Sequence, residues 1–144
     1  MKLSKRPAVP DDLDFLLALR KTTMNEHLVS SGMSTSDENH MKRIELEFQS
    51  SEILESSGSP VGLIKATRRG NAWELIQIQL VPDFQGLGIG SELIEGLVAE
   101  ASRVGASVKL SVLKSNRARF LYERLGFVIC GEDERSFHMV RYAA

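Results

Sequence analysis

A glycine-rich loop is the part of the sequence whose residue types and spacing point most directly to chemistry. It lies between a strand-like run, Leu75 to Val81, and an amphipathic helix that we expect to begin near Ser91, and its sequence is Gln85-Gly86-Leu87-Gly88-Ile89-Gly90. Glycine has no Cβ, so the backbone can approach a ligand closely and turn its N–H groups outward. No side-chain oxygen precedes the helix to cap its first donors, as Ser, Thr, Asp or Asn usually does. The free N–H groups and the positive end of the helix dipole therefore predict a site for a phosphate-type anion.

The loop differs from two common nucleotide-binding motifs. The dinucleotide motif has the spacing Gly-x-Gly-x-x-Gly and an acidic residue about twenty positions later. Here the third glycine comes one residue early, and the later region is the run Val108 to Leu113 followed by Lys114. A P-loop ends in Gly-Lys-Ser/Thr, whereas Gly90 is followed by Ser91 and Glu92. A nicotinamide cofactor and nucleoside triphosphate hydrolysis are therefore disfavoured.

The composition limits the class of protein and its partners. The chain has 144 residues, of which 42% are apolar and 26% charged, and 18 basic against 19 acidic residues give a net charge of −1. These values are typical of one globular domain, here residues 1–144, and do not favour nucleic acid or an anionic membrane as a partner. The basic N-terminal residues lack a following apolar stretch, so we expect a cytoplasmic protein. A single cysteine, Cys130, and three histidines without ligand spacing predict no metal site, and the histidines are expected to be structural.

The hydrophobic patterns that position the loop alternate between strand-like and helical periods. We expect strands over residues 2–6, 52–55, 61–68, 73–81, 108–113, 127–130 and 136–142, and helices from residue 11, over 38–49, from near 91 to near 105, and from 116 to 126. Turns at Ser56–Pro60 and at Gly70-Asn71 predict an antiparallel meander ahead of the loop. The pattern favours an α/β protein in which the loop joins a strand to a helix that packs on a sheet.

Two blocks of residues resemble the GNAT superfamily, the acetyl-CoA-dependent N-acetyltransferases. The family signature Gln/Arg-x-x-Gly-x-Gly/Ala is matched by Gln85, Gly88 and Gly90, after the step Val81-Pro82. A second block is matched by Asn116, Ala118, Tyr122, Gly126 and Phe127. The resemblance implies a mixed, mostly antiparallel central sheet that is flanked by helices and split near Leu80 for the cofactor.

The resemblance also implies how acetyl-CoA, the acetyl donor, is held. Its pyrophosphate would lie on the loop amides and the helix start, from Gln85 through Ser91. Its pantetheine arm would pair with the end of the preceding strand at Leu80 and Val81, where a bulge usually splays two parallel strands apart. A backbone N–H near these two residues would stabilise the oxyanion. Asn116 matches a position that touches the cofactor, and it is also a suitable helix N-cap.

Tyr122 is the best candidate for a catalytic residue. Helical spacing places it on an apolar stripe with Ala118, Leu121 and Leu125, which alone would make it a core tyrosine. In the family, however, the tyrosine at this motif position donates a proton or a hydrogen bond to the departing thiolate of coenzyme A. A phenol with an ordinary pKa near 10 can stabilise a thiolate whose thiol has a pKa near 8.5.

Glu74 is the leading candidate for the base that takes a proton from the acceptor amine. Even spacing along an unbroken strand would put it on one face with Ile76, Ile78 and Leu80, and would turn Gln77 and Gln79 to the other face. A glutamate at the matching position serves as base, often through water, in the histone-acetyltransferase branch of the family. A solvated charge near the Gly70-Asn71 turn, a base elsewhere and a water chain stay open as alternatives.

The resemblance leaves the acceptor undetermined. The acceptor is selected in this family mainly by the first two helices and the last hairpin, here about residues 11–50 and 128–140. Glu132, Asp133 and Glu134 in that hairpin would attract a cationic amine, although a solvated acidic turn explains them equally well. We expect direct acetyl transfer to the primary amine of a small molecule. A protein or peptide N-acetyltransferase, a non-catalytic acyl-CoA-binding sensor and a homodimer also stay open.

Overall fold

A seven-stranded sheet with helices on both faces organises the computed structural model, which describes residues 3–143. The strands are β1 (Leu3–Pro7), β2 (Ser51–Ser56), β3 (Ser59–Thr67), β4 (Ala72–Leu80), β5 (Ser107–Leu113), β6 (Val128–Glu132) and β7 (Ser136–Arg141). The helices are α1 (Leu13–Ser30), α2 (Asp37–Glu45), α3 (Ile89–Arg103) and α4 (Ala118–Arg124). Short 3-10 turns cover Pro10–Asp12, Phe48–Ser50 and Pro82–Phe84. The predicted order of strands and helices is confirmed.

The sheet has the order β1-β2-β3-β4-β5-β7-β6. Every neighbouring pair is antiparallel except β4 and β5, which run parallel. That parallel pairing covers only three positions, from Ala72 opposite Ser107 to Glu74 opposite Lys109. Beyond Glu74 the two strands separate. The predicted mixed, mostly antiparallel sheet is therefore confirmed, and the split that was predicted near Leu80 begins earlier in β4, after Glu74.

Two apolar clusters hold the helices on opposite faces of the sheet. The cluster under α3 and α4 contains Ile64, Trp73, Ile94, Val108 and Phe127. The cluster under α1 and α2 contains Leu16, Leu19, Ile44, Ile53 and Leu63. Because successive strand residues point to opposite faces, the neighbours Ile53 and Leu54 of β2 belong to different clusters, as do Leu63 and Ile64 of β3. The helix pair α1 and α2 thus covers one face of the split, and α3 and α4 cover the other.

Several element boundaries differ from the sequence prediction. The helix α2 ends at Glu45 rather than Gln49, because Glu47 has a left-handed backbone with φ 51°. The helix α3 begins at Ile89, two residues before the predicted start at Ser91. The predicted start of the first strand at Lys2 lies outside the described residues. Across residues 3–143, the helices are all too short or too polar to cross a membrane.

A buried lysine terminates α2, which the sequence did not suggest. Lys65 in β3 has a relative exposure of 0%, and its Nζ donates to the carbonyl oxygens of Arg43, Ile44 and Leu46 at 3.0, 3.1 and 2.7 Å. The last carbonyls of a helix lack intrahelical donors and carry the negative end of its dipole, so a cation stabilises them. Burial lowers the pKa of Lys65 to about 8. This contact fixes the end of α2 over the middle of the sheet.

Candidate active site

The split between β4 and β5 opens into a cleft of about 690 Å³. Its walls come from α1, α2, β4, β5, the start of α4 and the turn between β6 and β7. Ligand pockets in proteins commonly have volumes of about 300–1,000 Å³. The cleft therefore has the size of a small-molecule site, and it contains the side chains of Glu74, Asn116 and Tyr122 that the sequence singled out.

A one-residue bulge in β4 changes which side chains face the cleft. Lys65 of β3 is opposite Gln77, whereas its neighbour Ala66 is opposite Leu75, so Ile76 is an extra residue in β4. A bulge of this kind reverses the alternation of side chains beyond it. The prediction that Glu74 shares a face with Ile78 and Leu80 is therefore wrong.

The cross-strand partners establish the two faces of β4. Glu74, Gln77 and Gln79 are opposite Thr67, Lys65 and Leu63, which face α1 and α2. Leu75, Ile78 and Leu80 pack in the cluster under α3 instead. Gln77 and Gln79, which the sequence placed away from Glu74, thus lie on the same face as that carboxylate. The irregularity is at Ile76 and not at the predicted position beside Leu80 and Val81.

The free backbone edge of β4 also differs from the prediction. The N–H of Val81 donates to the Val61 carbonyl at 2.9 Å, and the Val81 carbonyl accepts from the N–H of Phe84 at 2.9 Å. Both groups of Val81 therefore have a partner within residues 3–143, which favours Leu80 over Val81 for pantetheine pairing and oxyanion binding, and these roles stay predictions. Successive strand residues point their N–H groups to opposite edges, so those of Ile78 and Leu80 point into the split. Ile78 also lines the cleft, which makes its N–H a donor that the sequence analysis missed.

The glycine loop presents unpaired backbone donors next to this edge. Gly86 and Gly88 have φ values of 73° and 80°, which L-residues with a Cβ rarely adopt. Gly88 is the N-cap of α3, and no side chain caps this end of the helix among the described residues. The first N–H of α3 with a partner belongs to Glu92, which donates to the Gly88 carbonyl at 3.1 Å. Gln85 Nε2 donates to the Leu80 carbonyl at 2.9 Å and so ties the loop to the end of β4. The geometry suits an anion, as the sequence predicted.

Tyr122 connects the cleft to the core. Its relative exposure is 9%, and its ring contacts Phe127 edge to face with centroids 5.9 Å apart. Burial raises the pKa of Tyr122 to about 12, so the phenol is protonated at neutral pH. The ring is a core residue that also lines the cleft, and the catalytic role of Tyr122 stays a prediction.

Asn116 begins the turn that leads into α4. Its Oδ1 accepts a hydrogen bond from the N–H of Ala118 at 2.9 Å, so it caps the first turn of the helix. The residue also lines the cleft. Its capping role is present in the structure, and its contact with a cofactor stays a prediction.

Glu74 lies on the cleft wall at a distance from the free edge of β4. Its side chain is exposed, and it is close to Arg69, whose guanidinium binds Glu47 at 2.7 Å. Four residues separate Glu74 from Ile78, a path of up to about 13 Å along an extended strand. The carboxylate would therefore reach an amine beside Ile78 through water. Its role as base stays a prediction.

Three side chains on the opposite wall form a polar chain that the sequence analysis did not find. Ser111 of β5 and His138 of β7 are cross-strand partners, with Ser111 Oγ 2.8 Å from His138 Nδ1. His138 Nε2 lies 3.3 Å from Asp133 Oδ2, and all three residues line the cleft. With Nε2–H directed at Asp133, Nδ1 can accept the hydroxyl proton of Ser111. His138, expected to be purely structural, is thus within reach of a ligand.

The acidic turn after β6 is mostly committed to local structure. Glu132 binds Lys114 at 2.5 Å, and Asp133 Oδ1 accepts from the N–H groups of Arg135 and Ser136 at 2.9 and 2.7 Å. These N–H groups hold the pKa of Asp133 below its ordinary value. The interpretation of this turn as a structural acidic turn is therefore favoured over a site for a cationic amine.

Polar side chains from α1 and α2 close the deep end of the cleft. Arg20 and His40 are buried there with Gln77 of β4. His40 Nε2 contacts Asn25 Oδ1 at 2.7 Å, whereas its Nδ1 is buried without a partner among residues 3–143. Burial, followed by the charge of Arg20, lowers the pKa of His40. The cleft thus combines a split strand edge, backbone donors, a phenol and a polar interior.

Comparisons with known proteins agree with this arrangement. The model of the Acetyltransferase (GNAT) domain matches residues 21–143. The [ribosomal protein bS18]-alanine N-acetyltransferase of Haemophilus influenzae is 41% identical over 54 residues, which are 37% of this chain and 37% of that protein.

Solved structures share the fold at low sequence identity. The PaiA N-acetyltransferase of Thermoplasma acidophilum, in complex with coenzyme A, superimposes with a TM-score of 0.75 at 19% identity, over 99% of each chain. The ribosomal-protein-S18-alanine N-acetyltransferase of Escherichia coli gives a TM-score of 0.73 at 19% identity, over 99% of this chain and 95% of that one. Since the domain model covers most of the sequence and the fold agrees, the chain belongs to the GNAT acetyltransferase family, whose enzymes use acetyl-CoA as the acetyl donor.

Proposed function

We propose that this acetyltransferase moves the acetyl group of acetyl-CoA directly to the primary amine of a small molecule. The observation that carries the proposal is the meeting, in one cleft of about 690 Å³, of the split edge of β4 and the buried phenol of Tyr122, beside the loop with unpaired N–H groups. The pyrophosphate would lie on the loop from Gln85 through Ser91. The pantetheine arm would follow the free edge of β4 at Ile78 and Leu80, and Asn116 would contact the cofactor from the start of α4.

The reaction would proceed without a covalent enzyme intermediate. The amine nitrogen attacks the thioester carbonyl, the C–N bond forms, and the carbonyl oxygen becomes an oxyanion that accepts the N–H of Ile78 or Leu80. The nitrogen, which is positively charged after the attack, releases its extra proton to solvent. The C–S bond then breaks, its electron pair stays on sulfur, and the oxyanion returns to a carbonyl. Tyr122 donates a hydrogen bond to that thiolate, and its raised pKa keeps the phenol protonated throughout. Holding the amine against the thioester supplies the proximity that the reaction needs.

The attacking amine must first lose a proton. An alkylammonium has an ordinary pKa of about 10.4, so a base is needed at neutral pH. Glu74 is the candidate that the family resemblance suggests. If the parallel register is continued past Glu74, Ser111 comes about level with Ile76 and Gln77 across the split. We therefore also propose a relay in which Ser111 Oγ takes the proton and passes its own to His138 Nδ1, with Asp133 stabilising the imidazolium.

A protein N-terminus is the second candidate acceptor. It is favoured by the similarity to the bS18-alanine N-acetyltransferase of Haemophilus influenzae, although that match covers only 37% of each chain. The dimensions of the cleft and its closure by α1 and α2 favour a small molecule instead. A non-catalytic acyl-CoA-binding protein is the third alternative.

A binding and turnover experiment separates these possibilities. The purified protein would be titrated with acetyl-CoA by calorimetry and then incubated with a panel of small amines and peptides with free N-termini. Mass spectrometry of the acetylated product is the better readout, because the exposed Cys130 would react with thiol reagents. We expect acetylation of small amines with little acetylation of peptides. A preference for peptides would favour the second candidate, and binding without any product would favour a sensor. A lack of acetyl-CoA binding would refute the whole proposal.

A further inference from the structure

Arg20 in α1 is a buried cation that has no acidic partner among residues 3–143. Its relative exposure is 6%, it lines the cleft, and its Nε has no hydrogen-bond partner among residues 3–143. None of the ion pairs within residues 3–143 includes the Arg20 guanidinium. A buried charge is unfavourable unless it is paired and hydrogen-bonded, so the fold retains a group that is expensive to bury.

The surroundings of Arg20 add positive rather than negative charge. The pKa of Arg20 is lowered to about 10. Burial is the larger cause, and the positive charge of the nearby Arg43 is the second. The charge of Arg20 in turn contributes to the lowered pKa values of Lys65 and His40. Glu47 is the acidic residue whose charge raises the pKa of Lys65, and its carboxylate already forms an ion pair with Arg69, with Nη2 and Oε2 2.7 Å apart. The deep end of the cleft therefore has a surplus of positive charge.

Gln77 supplies a second unpartnered polar group in the same place. Its relative exposure is 5%, and neither its Oε1 nor its Nε2 has a partner among the described residues. The bulge at Ile76 turns it to the α1 and α2 face, directly opposite Lys65. Gln77 also precedes Ile78, whose N–H points to the reacting carbonyl in the proposed function. Consecutive Cα atoms are about 3.8 Å apart, so the backbone of Gln77 adjoins the N–H that the proposed function assigns to the oxyanion.

We propose that Arg20 and Gln77 form a subsite for the carboxylate of the acceptor, which makes the acceptor an amino acid or a similarly short amine that carries a carboxylate. The proposal rests on the proposed function. The guanidinium binds a carboxylate through two parallel N–H groups, which is the geometry that favours Arg over Lys. Gln77 Nε2 donates to the carboxylate, and its Oε1 accepts an N–H of the attacking amine. A ligand with an amine close to a carboxylate thus satisfies both polar atoms of Gln77 and the charge of Arg20.

Matched pairs of acceptors test the proposal. Twenty L-amino acids and their α-carboxamides would be compared by kcat/KM for acetylation, with acetyl-CoA saturating. We expect at least one amino acid to exceed its carboxamide by tenfold or more. Equal rates for every pair, or faster rates for the carboxamides, would overturn the carboxylate subsite and leave the proposed function intact.

Substitutions assign the preference to the subsite. Arg20→Met should lower kcat/KM for the preferred amino acid at least 100-fold, should change kcat/KM for its carboxamide less than threefold, and should leave acetyl-CoA affinity unchanged. Gln77→Leu should lower kcat/KM for both acceptors, and more for the amino acid. Arg103→Met, which removes an exposed guanidinium at the end of α3, is the matched control. Equal losses for both acceptors in Arg20→Met would contradict the proposal.

Two further readouts cover the cases in which folding or turnover fails. Because Arg20 is buried without a partner, Arg20→Met should leave the melting temperature unchanged or raise it. A purely structural arginine would instead lower it. If no amine is acetylated, the proposed function fails, and binding of N-acetyl amino acids in the presence of coenzyme A then tests the subsite by calorimetry. Binding of an N-acetyl amino acid that weakens tenfold in Arg20→Met would support it, and no such binding would overturn it.

Discussion

Replacing Tyr122 with phenylalanine separates the chemical role of this residue from its role in the core. The substitution removes only the hydroxyl, while the ring that packs edge to face on Phe127 at 5.9 Å stays. A hydrogen bond to a charged group contributes about 1.5–3 kcal/mol. A tenfold change in rate corresponds to about 1.36 kcal/mol. If the phenol stabilises the departing thiolate, Tyr122→Phe should therefore lower kcat by roughly 10- to 150-fold.

The pH dependence of the effect follows from burial. The pKa of Tyr122 is raised to about 12, so the phenol does not ionise below pH 10 in the folded protein. An unburied phenol, with a pKa near 10, would lose its proton in the upper part of that range. The ratio of wild-type to Tyr122→Phe kcat should therefore be constant from pH 7 to pH 10.

The assay measures kcat, acetyl-CoA affinity and stability for three proteins. Tyr142→Phe is the matched control, because Tyr142 is the other tyrosine of the chain and is 63% exposed. We expect kcat to fall only in Tyr122→Phe, with acetyl-CoA affinity within twofold of wild type. The free energy of unfolding should change by less than about 1 kcal/mol, since no apolar contact is lost. An unchanged kcat would refute the reasoning and leave Tyr122 as a core residue. A fall in kcat that is accompanied by a loss of unfolding free energy of similar size would show that the substitution acts through packing.

Three other perturbations test the loop, the base and an ion pair. Gly88→Ala strains a backbone with φ 80° and should weaken acetyl-CoA binding at least fivefold. The control Gly96→Ala, at an exposed position inside α3, should leave binding unchanged. Equal affinities of the two variants by calorimetry would argue against cofactor binding by the loop. His138→Gln should lower kcat/KM at least tenfold and Glu74→Gln less than threefold, and the reverse order would assign the base to the glutamate. Asp12→Asn should lower the free energy of unfolding at pH 7, because the guanidinium of Arg6 binds the Asp12 carboxylate at 2.8 Å and holds the pKa of Asp12 below its ordinary value. That stabilisation is present above the ordinary pKa of about 3.9 and is lost as the pH falls through the lower folded-state pKa, so urea midpoints of wild type and variant should converge in acid.

The order of the elements and the donor side of the site could be predicted because their signals are local. The glycines of the loop, the apolar stripe of α3 and the turns of the meander each depend on residues a few positions apart. Tyr122 was found through its spacing from Asn116 and Gly126, which lie on the same short segment. Such signals are present in the sequence whatever the rest of the chain does.

The acceptor side could not be predicted, because it depends on pairings between distant segments. Ser111 and His138 meet only because β7 is inserted between β5 and β6, in a register that no local pattern specifies. No local pattern in the sequence singled out Arg20, which α1 carries into the cleft. Lys65, a charged residue in an otherwise apolar run, is buried because the end of α2 supplies three carbonyl acceptors.

The bulge at Ile76 links the donor and acceptor halves of the cleft. If the same residues of β4 alternated strictly and formed no bulge, Gln77 and Gln79 would face α3, and Ile78 and Leu80 would face α1 and α2. With it, the apolar residues Ile78 and Leu80 pack under α3, beside the loop that leads into that helix, while Gln77 and Gln79 face the polar deep end. Bulges also increase the local twist of a strand, which is consistent with the loss of β4–β5 pairing just before this position, after Glu74. The bulge therefore accounts for the polarity of the wall that faces α1 and α2, and it lies where the split opens; the proposed reaction needs both the polar wall and the split.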